Sequence, residues 1–257
     1  MRNVMRNKIW FSLLVLTILL SACSGNGSAT IASLAGTHWV LEQINGESVI
    51  ENALPTLSFR GDQEVGGNSS CNTFNGTFTA KDGKLTIGEL TSTMMACPEP
   101  EGLMDQETAY LKALESSASY RIDGDKLLII DTSNAVVLVF STQDMSLEGK
   151  TWNLTSFNDG QNLVSLVLDT QITAEFKEGT LSGSSGCNSY SGAFQQKEQN
   201  LSFDTFAVTM MACPQEDVME QETAYLSTLT KVTRYTIDGN NLLLFDANDL
   251  VIAQFSQ

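Results

Sequence analysis

The chain has 257 residues, of which 30 are acidic and 14 basic, and its formal net charge is −16 at neutral pH. A chain this acidic repels the phosphates of nucleic acids and anionic lipid headgroups, so its charge excludes nonspecific binding to either. It contains one histidine, His38, which excludes a site built from several histidines, such as a histidine-rich zinc site.

The first 22 residues have the pattern of an export signal. A basic start without acidic residues precedes a twelve-residue apolar run, residues 9–20, which is too short to span a bilayer and typical of a signal-peptide core. The segment Leu20-Ser21-Ala22-Cys23 resembles a bacterial lipobox. This resemblance implies cleavage before Cys23 and lipidation of that cysteine. An ordinary secretory signal with an incidental cysteine, or an uncleaved anchor, are the alternatives.

We therefore predict a lipoprotein signal peptide over residues 1–22 and a flexible, small and polar tether over residues 23–33. Acyl chains on Cys23 hold a protein to a membrane without a transmembrane helix, since each buried methylene contributes about 0.8 kcal/mol. The expected location is the bacterial cell envelope, and Ser24 favours the outer membrane, facing the periplasm, in a Gram-negative cell. Removal of the signal leaves 11 of the 14 basic residues against 30 acidic ones, a net charge of −19 that indicates solubility.

Most of the remaining chain is written twice. The hexapeptide Thr93–Pro98 recurs letter for letter at Thr209–Pro214, and similar residues surround both copies. A repeat of this length is domain-sized, so we predict two similar domains, residues 34–141 and 147–257, which a short polar joint keeps adjacent. A residue that serves the shared fold should occur twice, and one that serves a private site can occur once.

Each repeat is predicted to be mainly β. In the first, strands at Trp39–Ile44 and Thr56–Arg60 precede the glycine-rich stretch Gly66–Ser70, which suits a tight bend or bulge. Further strands are predicted at Gly76–Ala80, Leu85–Leu90, Thr91–Cys97, Tyr120–Ile122, Lys126–Ile130 and Ala135–Phe140. Hairpin turns are indicated at Asp82-Gly83 and Asp123-Gly124, and in the second repeat at Asp159-Gly160 and Asp238-Gly239.

One helix interrupts the strands of each repeat. Apolar residues recur near helical spacing over Leu103–Ser116, with acidic residues early and a lysine late, an order that suits the helix dipole. The stripe returns from Val218 to Leu229, and both stripes, with Met104 and Met219, are predicted to face the core. Five strands, a helix and three strands predict an α+β, mainly β fold: a small antiparallel barrel or roll with one packed helix.

Four cysteines remain beside Cys23, and each repeat separates its two by 26 residues. An even number of thiols in an exported chain favours disulfides. Of the three possible connectivities, the duplication selects Cys71–Cys97 with Cys187–Cys213. Closing loops of this length stabilises the fold by roughly 3–4 kcal/mol each in the chain-entropy model.

A soft-metal site is the alternative use of the hexapeptide. Met94, Met95 and Cys97 carry the thioether and thiol groups that Cu(I) accepts. In a strand, however, Met94 would point away from the other two, and methionine is an ordinary filler of cores. We therefore predict no metal site and no cofactor.

Candidate catalytic residues are few. His38 has Thr151 as its counterpart, and a surface or partly packed histidine is the ordinary case at the start of a strand. Glu107 and Glu222 would form a glycosidase pair only if they faced each other across the domain interface. Each lies near a helix start, where a glutamate is favoured without any chemistry. The asparagines after the first cysteine of each repeat are interpreted as turn residues, and we predict no catalytic residue and no enzyme.

Taken in order, these motifs resemble the META domain family, which is also called HslJ-like. The resemblance rests on a Gly-x-x-Trp opening, a Gly-x-x-x-Cys-Asn-x-[Phe/Tyr]-x-Gly segment and Thr-Met-Met-Ala-Cys-Pro. In the first repeat these begin at Gly36, Gly67 and Thr93, and in the second at Gly149, Gly183 and Thr209. The resemblance implies a compact β-rich fold with a helix and a bacterial envelope protein linked to stress or antibiotic tolerance. It implies no established enzymatic chemistry.

The sequence thus predicts a lipid-anchored envelope protein with a non-enzymatic binding or stabilising role and an unknown envelope protein as its partner. Two alternatives remain open at this point. One is a carrier that holds a small apolar molecule or an acyl chain within its barrel. The other is a hydrolase that depends on Glu107 and Glu222. No nucleic-acid partner is expected.

Overall fold

Each repeat forms a closed β-barrel, and side chains along its strands alternate between the buried interior and the surface. The computed structural model describes residues 33–51, 53–213 and 215–257. The predicted signal peptide, Cys23 and nearly all of the tether lie outside these residues. In the strand His38–Ile44, for example, the side chains of Trp39 and Leu41 point into the barrel and are buried, while their neighbours along the strand are only half-buried. Residues 31–257 form one compact unit that contains both repeats.

The first barrel contains ten strands and one helix, α1 (Leu103–Glu115). The strands are β1 (His38–Ile44), β2 (Glu47–Ser48), β3 (Thr56–Arg60), β4 (Glu64–Asn68), β5 (Thr73–Lys81), β6 (Lys84–Ile87), β7 (Thr91–Ser92), β8 (Ser117–Asp123), β9 (Lys126–Asp131) and β10 (Val136–Thr142). Eight of them close an antiparallel ring in the order β1-β3-β4-β5-β6-β8-β9-β10, in which β10 pairs with β1. Strands β2 and β7 extend β1 and β5 at the margins.

The second barrel repeats this arrangement around helix α2 (Glu216–Leu229). Its strands are β11 (Thr151–Asn158), β12 (Leu163–Ser165), β13 (Thr173–Lys177), β14 (Thr180–Ser184), β15 (Ser189–Lys197), β16 (Asn200–Phe203), β17 (Ala207–Val208), β18 (Arg234–Asp238), β19 (Asn241–Phe245) and β20 (Val251–Ser256). The ring closes between β11 and β20, and β12 and β17 lie outside it. The predicted fold class, mainly β with two barrels that each carry one helix, is confirmed.

Side chains fill the interior of each barrel. In the first, Tyr110 of α1 packs edge-on against Phe74 and Phe140, and its hydroxyl donates to the carbonyl oxygen of Thr56 at 2.9 Å. In the second, the hydroxyls of Tyr190 and Tyr225 bond at 2.8 Å in the same region. Each barrel therefore has its own aromatic core, closed on one side by its helix.

The prediction of a tight bend or bulge over Gly66–Ser70 is wrong for its first three residues, which belong to strand β4, and the chain turns only at Ser69 and Ser70. Glycine is needed in β4 for close packing between strands. A Cβ atom on Gly67 would lie 2.2 Å from the carbonyl oxygen of Thr56, and one on Gly183 would lie 1.9 Å from that of Thr173. A run of small residues thus marks a close approach of backbones rather than a turn.

Two predictions about methionine are also wrong. The expected strand Thr91–Cys97 is regular only over Thr91–Ser92, and the whole hexapeptide, Thr93–Pro98, lies in a loop outside the strands. On the helices, Met104 and Met219 are exposed instead of facing the core. The polar residues Glu107 and Glu222 are buried in this part of each helix, because each meets a set of hydrogen-bond donors described below.

The helices in the described part of the chain are too short or too polar to cross a membrane.

Candidate functional site

The structure contains both predicted disulfides, Cys71–Cys97 and Cys187–Cys213. In each repeat the bond ties the hexapeptide loop to the turn that follows β4 or β14. Because Cys97 is bonded to Cys71, the alternative Cu(I) site of Met94, Met95 and Cys97 would lack its thiolate.

Glu107 binds this turn from the helix side. Its carboxylate accepts hydrogen bonds from Ser69 Oγ at 2.8 Å, from the backbone N–H of Asn72 at 2.9 Å and from Asn72 Nδ2 at 2.8 Å. The backbone N–H of Cys71 adds a longer contact of 3.3 Å. Glu107 is the fifth residue of α1, beyond the first turn, so these donors, and not the helix dipole, explain a glutamate at this position.

Glu222 makes the same contacts in the second repeat. It accepts from Ser185 Oγ at 2.6 Å and from the backbone N–H and Nδ2 of Asn188, both at 2.9 Å. Each carboxylate is thus buried within its own repeat and bound by donors of that repeat. Both glutamates have structural partners in these networks, which we name the glutamate clamps.

The asparagine of each clamp fixes the hexapeptide loop. Asn72 Oδ1 accepts from Thr93 Oγ1 at 2.8 Å and from the backbone N–H of Met95 at 2.7 Å. Asn188 Oδ1 accepts from Thr209 Oγ1 and from the N–H of Met211, both at 2.8 Å. The sequence interpreted these asparagines as turn residues, but their side chains also reach a loop more than 20 residues away and hold it where strand pairing ends.

The methionines of these fixed loops face the solvent. Met94 is 97% exposed and Met210 is 99% exposed, while Met95 and Met211 are more than half exposed. The loops therefore present two apolar side chains per repeat on a backbone that a disulfide and an asparagine hold in place. Methionine is an adaptable apolar contact residue that is frequent at binding surfaces.

His38 lies at the boundary between the two repeats. Its Nδ1 bonds Ser58 Oγ at 2.9 Å, and its Nε2 lies 3.0 Å from Gln199 Nε2 of the second repeat. Burial lowers the pKa of His38, the nearby Arg60 lowers it further, and the Asp238 carboxylate opposes both. A histidine that was expected to be an ordinary surface or partly packed residue thus joins the repeats.

Asp238 crosses the same boundary from the other side. It accepts a hydrogen bond from Thr56 Oγ1, and the next residue, Gly239, exchanges two hydrogen bonds with the Gln143 side chain at 3.0 and 3.2 Å. Burial raises the pKa of Asp238, while the Thr56 hydrogen bond and the charges of Arg60 and His38 partly offset this effect. The repeats therefore meet through polar contacts.

These contacts border a cleft of about 490 Å³ between the repeats, which we name the interdomain cleft. From the first repeat it is lined by His38, Arg60 and Asn75. From the second it is lined by outward-facing residues of β18 and β19, among them Arg234, Asp238 and Phe245, together with Asp249.

The chain matches a known protein family twice along its length. The profile described as META domain matches residues 32–144 and, a second time, residues 145–257. The chain belongs to the META domain family.

A curated relative is the heat shock protein HslJ of Escherichia coli, which is 26% identical over 116 residues, covering 44% of this chain and 82% of HslJ. Among solved structures, a protein from Burkholderia xenovorans is 29% identical with a TM-score of 0.36, covering 43% of this chain and 84% of its own. A DUF4847 family protein from Bacteroides vulgatus is 18% identical with a TM-score of 0.32, covering 43% of this chain and 93% of its own.

The two META domains use duplicated and unique residues differently. The glutamate clamps, disulfides and methionine loops occur in both domains, whereas His38 and Arg60 face Gln199 and Arg234 of the other domain at one place only. The sequence reasoning missed the roles of Arg60, Arg234 and Asp238. The signal in the sequence was the scarcity of these residue types, since residues 33–257 contain three arginines and one histidine. The structure places two of these arginines and the histidine at the interdomain cleft.

Proposed function

We propose that this protein is a non-enzymatic binding protein of the bacterial cell envelope, anchored by lipid on Cys23, which docks onto a partner protein through its two hexapeptide loops. One observation carries the proposal: Met94 and Met210 are almost fully exposed although a disulfide and a buried asparagine fix each loop. Exposure of these methionines does not stabilise the isolated chain. Their burial in an apolar groove of a partner would stabilise the complex.

The chemistry of the loops favours a protein as the partner. Methionine is unbranched and polarisable, so it adapts to apolar grooves of different shapes. The chain without its signal carries a net charge of −19, from 11 basic and 30 acidic residues, which opposes insertion of the loops into an anionic membrane surface. Two loops on one chain also allow two simultaneous contacts, and linked contacts raise the apparent affinity.

The cellular location and the role in stress are supported by the sequence and by a relative. The lipobox-like segment that ends in Cys23 supports lipid anchoring in the envelope, and in a Gram-negative cell Ser24 favours the outer membrane, facing the periplasm. The relative from Escherichia coli is named a heat shock protein, which supports a role in stress. We assign the partner to the envelope because the anchor would confine the protein there.

Two other functions have less support. A carrier of an apolar molecule would need space inside the barrel, but aromatic side chains such as Tyr110 and Tyr225 fill the interior and are fully buried. A hydrolase based on Glu107 and Glu222 would need free carboxylates, but structural donors of their own repeat bind both. Binding through the exposed loops requires neither space inside the barrel nor a free carboxylate.

The test compares two matched double variants of the lipidated chain. Met94→Gln with Met210→Gln alters the loops, and Met104→Gln with Met219→Gln alters exposed methionines of the helices. Each protein is captured from solubilised envelopes after stress, and the bound proteins are quantified by mass spectrometry. We expect a defined partner to be retained by the wild type and the helix variant and reduced at least about tenfold by the loop variant.

Equal retention by both variants would contradict docking through the loops. Thermal melts serve as the control for folding, since all four positions are exposed and each variant should melt within about 2 °C of the wild type. A Cys23→Ser chain in the same preparation should leave the membrane fraction, and its retention there would contradict the lipid anchor.

A further inference from the structure

We infer that the interdomain cleft binds a small zwitterion of the amino-acid class, a molecule that carries both a carboxylate and an ammonium group. This cleft is separate from the methionine loops and contains none of the residues on which the proposed function rests.

One side of the cleft is positively charged. In a chain with 30 acidic residues, two of the three arginines in residues 33–257, Arg60 and Arg234, line this one cleft. The guanidinium of arginine fits a carboxylate through two parallel hydrogen bonds. Arg60 uses one nitrogen, Nη1, to donate to Asn75 Oδ1 at 3.1 Å, and among the described residues it forms no ion pair. Arg60 therefore retains donors for a ligand carboxylate.

The opposite side of the cleft is negatively charged. Asp238 is held in place by the Thr56 hydroxyl, and within the described ranges no lysine or arginine approaches it within ion-pair distance. Burial raises the pKa of this carboxyl, although the Thr56 hydrogen bond and the charges of Arg60 and His38 partly offset the rise. An ammonium group in the cleft would place a counter-charge within ion-pair distance of Asp238.

The charges of the cleft select the ligand class. Arg234 and Asp249 form an ion pair with each other at 2.6 Å, so Arg60 and Asp238 are the lining charges without an ion-pair partner among the described residues. A simple anion would meet Asp238, and a simple cation would meet Arg60. A molecule with both charges can pair with both sides of the cleft. Phe245, over which the guanidinium of Arg234 lies at 3.6 Å, adds an apolar wall for a side chain. The volume of about 490 Å³ is in the range of small-ligand sites, which is about 300–1,000 Å³.

The number of such sites per chain follows from which strand faces the other domain. The strand of the first domain that corresponds to β18 is β8, and there Arg121 and Asp123 are exposed instead of facing a cleft. Because only one copy of this strand face meets the other domain, the chain has one such site. The expected ratio is one ligand per chain, although the fold is duplicated.

The experiment screens the twenty common L-amino acids, one at a time, against the mature chain. Binding is measured by calorimetry and by chemical-shift changes of amides in β3 and β18. We expect at least one amino acid to bind at a ratio of one to one with a dissociation constant below about 1 mM. Its N-acetyl derivative, which lacks the ammonium, and its amide, which lacks the carboxylate, should each bind at least tenfold more weakly.

Variants assign the two charges to residues. Arg60→Gln and Asp238→Asn should each weaken binding at least tenfold. Two changes on β8 serve as controls and should leave binding unchanged: Asp123→Asn, at the counterpart of Asp238, and Arg121→Gln, at an exposed arginine outside the cleft. Circular dichroism checks that each variant folds, and the comparison of ligand derivatives on the wild type needs no variant. The inference is overturned if no amino acid binds, if two bind per chain, if the derivatives bind as tightly as the zwitterion, or if the β8 variants weaken binding equally.

Discussion

A buried carboxylate weakens a fold unless hydrogen-bond donors surround it, and Glu107 is surrounded by donors from Ser69, Cys71 and Asn72. The clamp thus links the helix to the disulfide-bonded turn, and Asn72 extends the link to the hexapeptide loop. At the residue scale the sequence predicted the disulfides, because equal spacing in two copies selects one pairing. It did not predict the clamps, because the partners of each glutamate lie 34 or more residues away in the chain and follow no local pattern.

Replacing Glu107 by glutamine tests the clamp. The amide retains one acceptor oxygen but turns an NH₂ group toward the donors, so charge-assisted hydrogen bonds are lost. We expect Glu107→Gln to lower the free energy of unfolding of the first domain by about 2–4 kcal/mol, measured by urea denaturation. The control is Glu115→Gln at the exposed end of α1, which should change it by less than about 0.5 kcal/mol. Equal effects of the two changes would contradict the structural role of Glu107.

At the element scale, hairpin turns and the helices could be read from the sequence because each has a local signal. Asp82 and Gly83 both adopt positive φ, as the predicted turn requires, and α1 begins at the predicted residue, Leu103. Strand β4 was missed because its glycines are typical of turns. Its strand conformation depends on the backbone of β3 lying against Gly67, a contact between segments that no local composition indicates.

This contact predicts a large penalty at Gly67. A methyl group there would collide with the Thr56 backbone at 2.2 Å, so β3 and β4 must separate. We expect Gly67→Ala to lower the free energy of unfolding by about 3 kcal/mol, measured by urea denaturation. Gly61→Ala is the control, since Gly61 has a positive φ of 54° but open space around its Cβ position, so backbone strain alone should cost about 1 kcal/mol there. A smaller loss at Gly67 than at Gly61 would contradict the close approach.

At the scale of the whole molecule, the short joint predicts neighbouring domains but not the faces that meet. Asp123 and Asp238 occupy the same place in the two repeats, yet only Asp238 reaches the other domain, where Thr56 binds it. Identical motifs cannot reveal this difference, because it depends on how one barrel is placed against the other. Residues that occur in one repeat only, such as His38, lie at the faces that meet. A single residue without a recognisable partner motif, however, does not predict which contact it makes.

The asymmetry has a consequence for stability against pH. Burial raises the pKa of Asp238 above its unfolded value, so its stabilising contribution is present below about pH 3.9 and is lost as the pH rises through the folded pKa. An asparagine keeps an oxygen that can accept the Thr56 hydrogen bond but carries no charge to bury. We therefore expect Asp238→Asn to melt above the wild type at pH 7, by about 2 °C, and together with it at pH 3.

The comparison isolates Asp238, because carboxyls with lowered pKa, such as Asp131 and Asp246, lose their contributions at low pH in both proteins. Calorimetric melts at the two pH values give the measurement, with Asp123→Asn as the exposed counterpart that should match the wild type at both. A lower melting temperature for Asp238→Asn at pH 7 would mean that Arg60 and Thr56 more than compensate the buried charge. The expected result, a more stable variant that no longer binds a zwitterion, would show that this carboxylate is retained at a cost to folding.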